Sequence, residues 1–311
     1  MHAFRPRHLA LTALAAVGSV ALAACGSSGG GATAPAGGTA AAGTPITVVA
    51  AENFWGNITS QIGGSRVAVT SIISDPNADP HEYESDPKDA AAISKAAFVI
   101  ENGVGYDDFV HKLLAASPKS GREVLSIEKT VGVGGDNPNP HLWYNPTYVI
   151  AAAKAIEAQL EKEDPAGATS FQANLATFLT GEQGVVAVID QIKAKYTGTP
   201  VAYTERVPGY LVEAAGLKLA TPASFSQSIE DGNDPSPGDT TAFDTALSSH
   251  AVKVLLYNSQ VTSPITQKAR ALATTSGIPV VGVSETLPLG EKDFQTWQAD
   301  QAKAILAALG Q

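Results

Sequence analysis

From residue 45 onwards, short apolar runs alternate with helical stretches, and that alternation restricts the fold more than any single motif does. Ile46-Thr47-Val48-Val49-Ala50-Ala51 is almost unbroken hydrocarbon, as in a strand covered on both faces, and residues 67–73, 97–100, 123–127, 201–203, 252–257 and 280–283 read as further strands. Helical patterns lie between them. The one at 86–95 opens with Asp86-Pro87, an N-cap acceptor followed by a residue suited to a first turn. Strands separated by helices of this size predict βαβ units in parallel sheet, with binding sites beyond the carboxyl ends of the strands.

One helical pattern is too long for a simple crossover. Over 166–195, Phe171, Leu175, Phe178, Val185, Ile189 and Ile192 fall on one face, with Glu182 as the charged interruption and Gly181 and Gly184 weakening the run. At 1.5 Å per residue such a helix reaches roughly 45 Å, the span of a whole lobe. The expectation is an α/β protein: two lobes of parallel sheet with flanking helices, 45–165 and 196–311, joined by one long rigid helix at 166–195.

The first 24 residues have a basic start (Arg5, Arg7, His8) and an apolar run at 9–23, the form of a secretory signal. Leu22-Ala23-Ala24-Cys25-Gly26 resembles a bacterial lipobox, which implies cleavage before Cys25, a lipid on its thiol and attachment to the outer face of the bacterial cytoplasmic membrane. Residues 26–44 are Gly, Ala, Ser, Thr and Pro throughout, a flexible tether. Cys25 is the only cysteine, so the body has no disulfide and no thiolate ligand. A net charge of -10 argues against nucleic acid as a partner.

Two loops carry the chemistry. Asp79-Pro80-His81-Glu82-Tyr83-Glu84 and Asn137-Pro138-Asn139-Pro140-His141-Leu142-Trp143 each place proline directly before histidine, so each ring stands on a stiff backbone. An imidazole beside three carboxylates, as at His81, suits a divalent cation. With Glu52-Asn53-Phe54-Trp55-Gly56, the long helix and Asn233-Asp234-Pro235-Ser236-Pro237, these loops resemble, in order and over nearly all of 45–311, the zinc and manganese substrate-binding lipoproteins of bacterial ABC importers.

The resemblance implies a monomer that holds one transported ion (Zn or Mn, with Fe as a further candidate) in the cleft between the lobes and delivers it to a membrane permease. It implies His81 and His141 as ligands, and Glu205 in Tyr203-Thr204-Glu205-Arg206 as the third. The family's fourth ligand is usually an Asp just before Pro-Leu-Gly. Here the chain reads Ser284-Glu285-Thr286-Leu287-Pro288-Leu289-Gly290, a departure that leaves Glu285 as the candidate. Carboxylates binding through both oxygens lean towards Mn(II), whereas the Irving-Williams order favours zinc. A metal-bound imidazole donates its other N-H to an oxygen; Glu82, Tyr83 and Glu84 are expected in such supporting positions or on the surface, Asn145 and a backbone carbonyl are further candidates among which the sequence does not choose, and His111 reads as a surface residue. The competing readings are a secreted metallohydrolase and a surface adhesin. The first lacks a His-Glu-x-x-His motif and would need an open coordination position, and no feature of the sequence supports the second.

Overall fold

The computed structural model describes residues 43–75 and 83–311. The signal segment, Cys25, all but the end of the tether, and His81 lie outside the described residues.

Strand β1 (Ile46–Glu52) is buried along nearly its whole length because it runs through the middle of a sheet. It leads into α1 (Asn53–Gly63) and then β2 (Val67–Ile73), an edge strand whose first five residues alternate between half-buried and exposed. Helix α2 (Pro87–Lys95) begins where Asp86 and Pro87 predict it. The Asp86 carboxylate accepts from Lys88 N and Asp89 N, and Asp89 accepts from Asp86 N in return. Strand β3 (Phe98–Glu101), α3 (Phe109–Ala116), β4 (Glu123–Ser126) and the short α4 (Ile127–Val131) complete a parallel sheet of order β2-β1-β3-β4.

Helix α5 (Pro146–Glu163) leads to α6 (Ala168–Tyr196), the long helix expected at 166–195. Its face of Phe171, Phe178, Val185, Ile189 and Ile192 is buried against α1 and α5 on one side and the C-terminal helix on the other. The second sheet, order β6-β5-β7-β8 and again parallel, is built from β5 (Pro200–Tyr203), α7 (Gly209–Ala214), β6 (Lys218–Leu219), α8 (Ala223–Glu230), α9 (Pro237–Ser248), β7 (Leu255–Asn258), α10 (Pro264–Thr275), β8 (Val280–Val283) and α11 (Phe294–Leu309). Helix α8 carries little propensity signal, since Ser-rich segments favour caps and turns, and it is held by Phe225 and Ile229 one turn apart on its buried face. Helix α9 starts at Pro237, with Ser236 as its cap accepting from Asp239 N.

The two sheets share one core. Phe54, Trp143 and Tyr144 of the first half, Phe178 and Val185 of α6, and Phe294 and Trp297 of α11 belong to a single buried cluster, while smaller clusters fill the outer face of each sheet. Among the described residues no helix is long and apolar enough to cross a membrane.

Glu182, the interruption in the seam of α6, is buried with the seam rather than turned out of it. Burial pushes its carboxyl from the ordinary 4.5 to about 8. An acid with a native pKa above its unfolded one binds more protons folded than unfolded between the two values, so the unfolding free energy falls as pH rises from about 4.5 to 8. Glu182→Gln is expected to remove that slope, leaving the variant more stable than the parent above pH 8 by an amount on the order of a few kcal/mol. Denaturant unfolding of both proteins at pH 5 and pH 8.5 measures it, and parallel pH profiles would count against the assignment.

Candidate metal centre

His141, Glu205 and Glu285 come from three loops, one in the first half and two in the second, and each is 0–1% exposed. His141 directly precedes the 3-10 turn Leu142–Tyr144 that leads into α5, Glu205 follows β5, and Glu285 follows β8. The two glutamates stand at the carboxyl-end positions that parallel strands offer to a site.

The imidazole is fixed on both sides. Its Nδ1 lies 2.7 Å from Asn139 Oδ1, which also accepts from the His141 backbone N at 3.0 Å, while Asn139 Nδ2 donates to Arg206 O at 2.8 Å. Because the amide nitrogen is committed to a carbonyl, its oxygen is the end that meets the ring. Nδ1 therefore carries a proton, and Nε2 is the nitrogen that faces Glu285. The outer partner is thus Asn139 and not Asn145, whose side chain caps α5 by accepting from Thr147 N. Tyr106 and Trp143 meet the ring edge-on at 5.8 and 5.2 Å, and Trp143 in turn stacks on Phe54 at 4.0 Å.

Nε2 of His141 lies 3.4 Å from Glu285 Oε2. That is long for a hydrogen bond, and close to the roughly 3.4 Å that separates N and O ligands bound at about 2.0–2.2 Å around one tetrahedral ion. Tyr106 Oη donates to the same oxygen at 2.9 Å across the cleft. The other oxygen, Oε1, accepts from Asn258 Nδ2 at 2.7 Å, and that amide nitrogen also donates to Glu205 Oε2 at 2.7 Å. The backbone under Glu285 is held residue by residue: Ser284 N by Gln301, Glu285 N and Thr286 N by Gln260 Oε1, and Leu287 N by Asn53. Arg206 does not pair with Glu205, since its guanidinium forks onto Glu230 at 2.9 and 2.6 Å.

Among the described residues no three His, Cys, Asp or Glu side chains are gathered closely enough to hold an ion by themselves, the Asn258 amide standing between the two glutamates. Of the supporting residues expected around His81, Tyr83 donates to Asp89 Oδ2 and packs on Phe109, so it braces α2. His111 is half exposed, with its Nε2 3.6 Å from the buried Glu101. The sequence reading missed Asn139, Asn258 and Tyr106. Asn258 ends a buried strand and Tyr106 follows Gly103-Val104-Gly105 just beyond another, so position at a strand's carboxyl end was the available signal.

The halves meet along two edges. On one, Asn53 exchanges two bonds with the backbone of Leu287, and Asn57 accepts from Phe294 N. On the other, around a cleft of about 460 Å³ lined by Tyr106, Pro140, Arg206 and Glu230 among others, Arg206 bonds to Asn137 O, Tyr210 to Asn139 O, and Asn137 to Gln227.

The family profile of zinc-uptake complex component A, periplasmic, matches residues 48–308. The manganese-binding lipoprotein MntA of Halalkalibacterium halodurans is 29% identical over 184 residues, 56% of this chain and 59% of that protein, so the chain spans little more than half of that relative's length. A metal ABC transporter substrate-binding lipoprotein of Lactococcus lactis is 25% identical over 84% of this chain and 88% of its own. A mutant laminin-binding adhesin, Lmb, of Streptococcus agalactiae shares the fold, with a TM-score of 0.72 at 21% identity over 85% of this chain and 99% of that one.

Removing the Asn139 side chain is expected to release the tautomer. In Asn139→Ala, long-range proton-nitrogen spectra should show His141 exchanging between Nδ1-H and Nε2-H forms where the parent shows one, and an unchanged single form would mean that another group sets it.

Proposed function

The chain belongs to the zinc-uptake complex component A family, and from that premise we propose that it captures a divalent transition-metal ion outside the cytoplasmic membrane and hands it to an ABC permease. The observation that carries the proposal is the burial of His141, Glu205 and Glu285 together at the junction of the two halves. With His81, which lies outside the described residues, they make two imidazoles and two carboxylates, a set suited to Zn(II), Mn(II) or Fe(II). The names of relatives point the same way, to zinc uptake, manganese binding and metal ABC transport.

Carriage rather than catalysis is the function that near-complete enclosure suits. A hydrolytic metal keeps a position open to water or substrate, whereas a carrier shields its cargo until transfer. In this reading Cys25 bears a lipid, 26–44 is the tether, the lobes are 45–165 and 196–311, the strut is 166–195, and the protein works as a monomer beside its permease. The polar edge around Arg206 is the side that opens, because its bonds are few and partly solvated, while the opposite edge is continuous with the core.

Exchange of both His81 and His141 for Ala is expected to weaken zinc and manganese binding by more than the roughly 10- to 100-fold that loss of an outer partner costs, with the far-ultraviolet dichroism unchanged. Calorimetric titration decides it, and unaltered affinity would remove the site assignment. Arg206→Ala should speed release of zinc to a chelator in stopped flow by roughly 10-fold, since it removes the guanidinium bond to Asn137 O that joins the two halves, and a hydrogen bond from a charged donor is worth about 1.5 kcal/mol at the low end. A rate equal to that of the parent protein would place the opening elsewhere.

A further inference from the structure

We infer that the groove between α3, β4 and α4, on the outer face of the first sheet, binds a primary ammonium ion carried on a short apolar chain. None of its residues belongs to the candidate metal centre, and the inference does not rest on that centre.

Glu101 and Ser126 end β3 and β4 and are register partners in parallel strands, so their side chains stand side by side on one face. That face is the one covered by α3, since Val99, two residues before Glu101, packs with Phe109, Val110 and Leu113. Both residues are buried, Glu101 at 3% exposure and Ser126 at 7%. Among the described residues neither Glu101 Oε2 nor Ser126 Oγ has a hydrogen-bond partner. Ser126 even occupies the cap position of α4 and accepts nothing from that helix. His111 Nε2 lies 3.6 Å from Glu101 Oε2, outside hydrogen-bond reach, and its ring is half exposed at the entrance. Buried polar atoms without partners are costly, and two at neighbouring positions lining one groove point to a ligand.

The free atoms fix the chemistry of that ligand. A carboxylate and a hydroxyl oxygen both accept, so what enters must donate. Charge favours a cation: burial chiefly, with the charge of Glu101 adding to it, pushes the carboxyls of Glu52 and Asp107 up, and no Lys or Arg among the described residues pairs with any of the three acids. Acceptors on two different side chains suit the splayed donors of an ammonium group, whereas the planar fork of a guanidinium matches one carboxylate end-on. The groove holds about 540 Å³ and its walls include Leu114, Val124 and Leu125, so the body of the ligand is apolar. Lys129 at the rim repels a second positive charge, which favours a monoamine over a polyamine.

The test follows the amide spectra of the isotope-labelled protein during titration with n-butylammonium chloride and, separately, with tetramethylammonium chloride, which has the charge but no N-H, at constant ionic strength. Butylammonium is expected to give saturable shifts at Leu114, Leu125 and Ser126. Tetramethylammonium should bind roughly 10-fold more weakly, because the hydrogen bonds from a charged donor are lost. Glu101→Gln and Ser126→Ala should each weaken butylammonium binding roughly 10-fold while leaving zinc affinity at the parent value. No saturable response, equal binding of the two cations, shifts centred outside this groove, or an affinity unmoved by both substitutions overturns the inference. Zinc affinity falling in step with that for butylammonium would place the cation at the metal centre and overturns it too. The response of the parent to the two cations decides the matter even if neither variant folds.

Discussion

Carboxylates taken out of water must be compensated, and this demand organises the molecule. Isolated in a low-dielectric interior an ionised carboxylate costs several kcal/mol or more, so it is hydrogen-bonded, paired, metal-bound or protonated. Glu205 and Glu285 follow the first course, with donors from Asn258 and Tyr106. A second group, at the carboxyl ends of β1 and β3, shows the other solution. The carboxyl of Glu52 is pushed well above the usual range by burial and then by the charge of Asp107, while burial raises Asp107 to about 7 against the pull of two backbone donors. Fixed dipoles surround the first pair, while burial shifts the second towards its protonated form.

The two groups are mechanically joined. Asp107 accepts from Asn102 N and Gly103 N, fixing a loop in which Gly103, Val104 and Gly105 all have positive φ. For Val104, at φ 58, that conformation costs on the order of 1–3 kcal/mol and persists because its surroundings over-determine it, including the bond from its N to Glu128. The strained loop delivers Tyr106 to Glu285, and from its start the Asn102 amide reaches Pro140 O, directly ahead of His141. A buried acid on one strand end thus sets the position of two residues of the site.

The same logic explains why the halves differ in how they meet. Along α1, α6 and α11 the contact is a continuous buried core bordered by the bonds of Asn53 and Asn57. Around Arg206 it is a handful of hydrogen bonds that water can replace.

Sequence by itself determined the parts whose causes are local. The apolar run of β1, the Asp86-Pro87 start of α2, the one-sided seam of α6 and the Pro140-His141 loop are all set by neighbours within a few turns, and each of these stands where the chain predicts it. Only the tertiary structure decided that Glu182 stays in the seam with its carboxyl pushed up by burial, that Asn139 orients His141, and that Tyr106 and Asn258 hold the glutamates. Tyr106 and Glu285 are 179 residues apart, and a bond between such distant side chains leaves no spacing or periodicity along the chain by which it could be foreseen. Helices and strands arise from interactions along the backbone, whereas the site arises from interactions across the gap between two sheets, which exist only once both have folded.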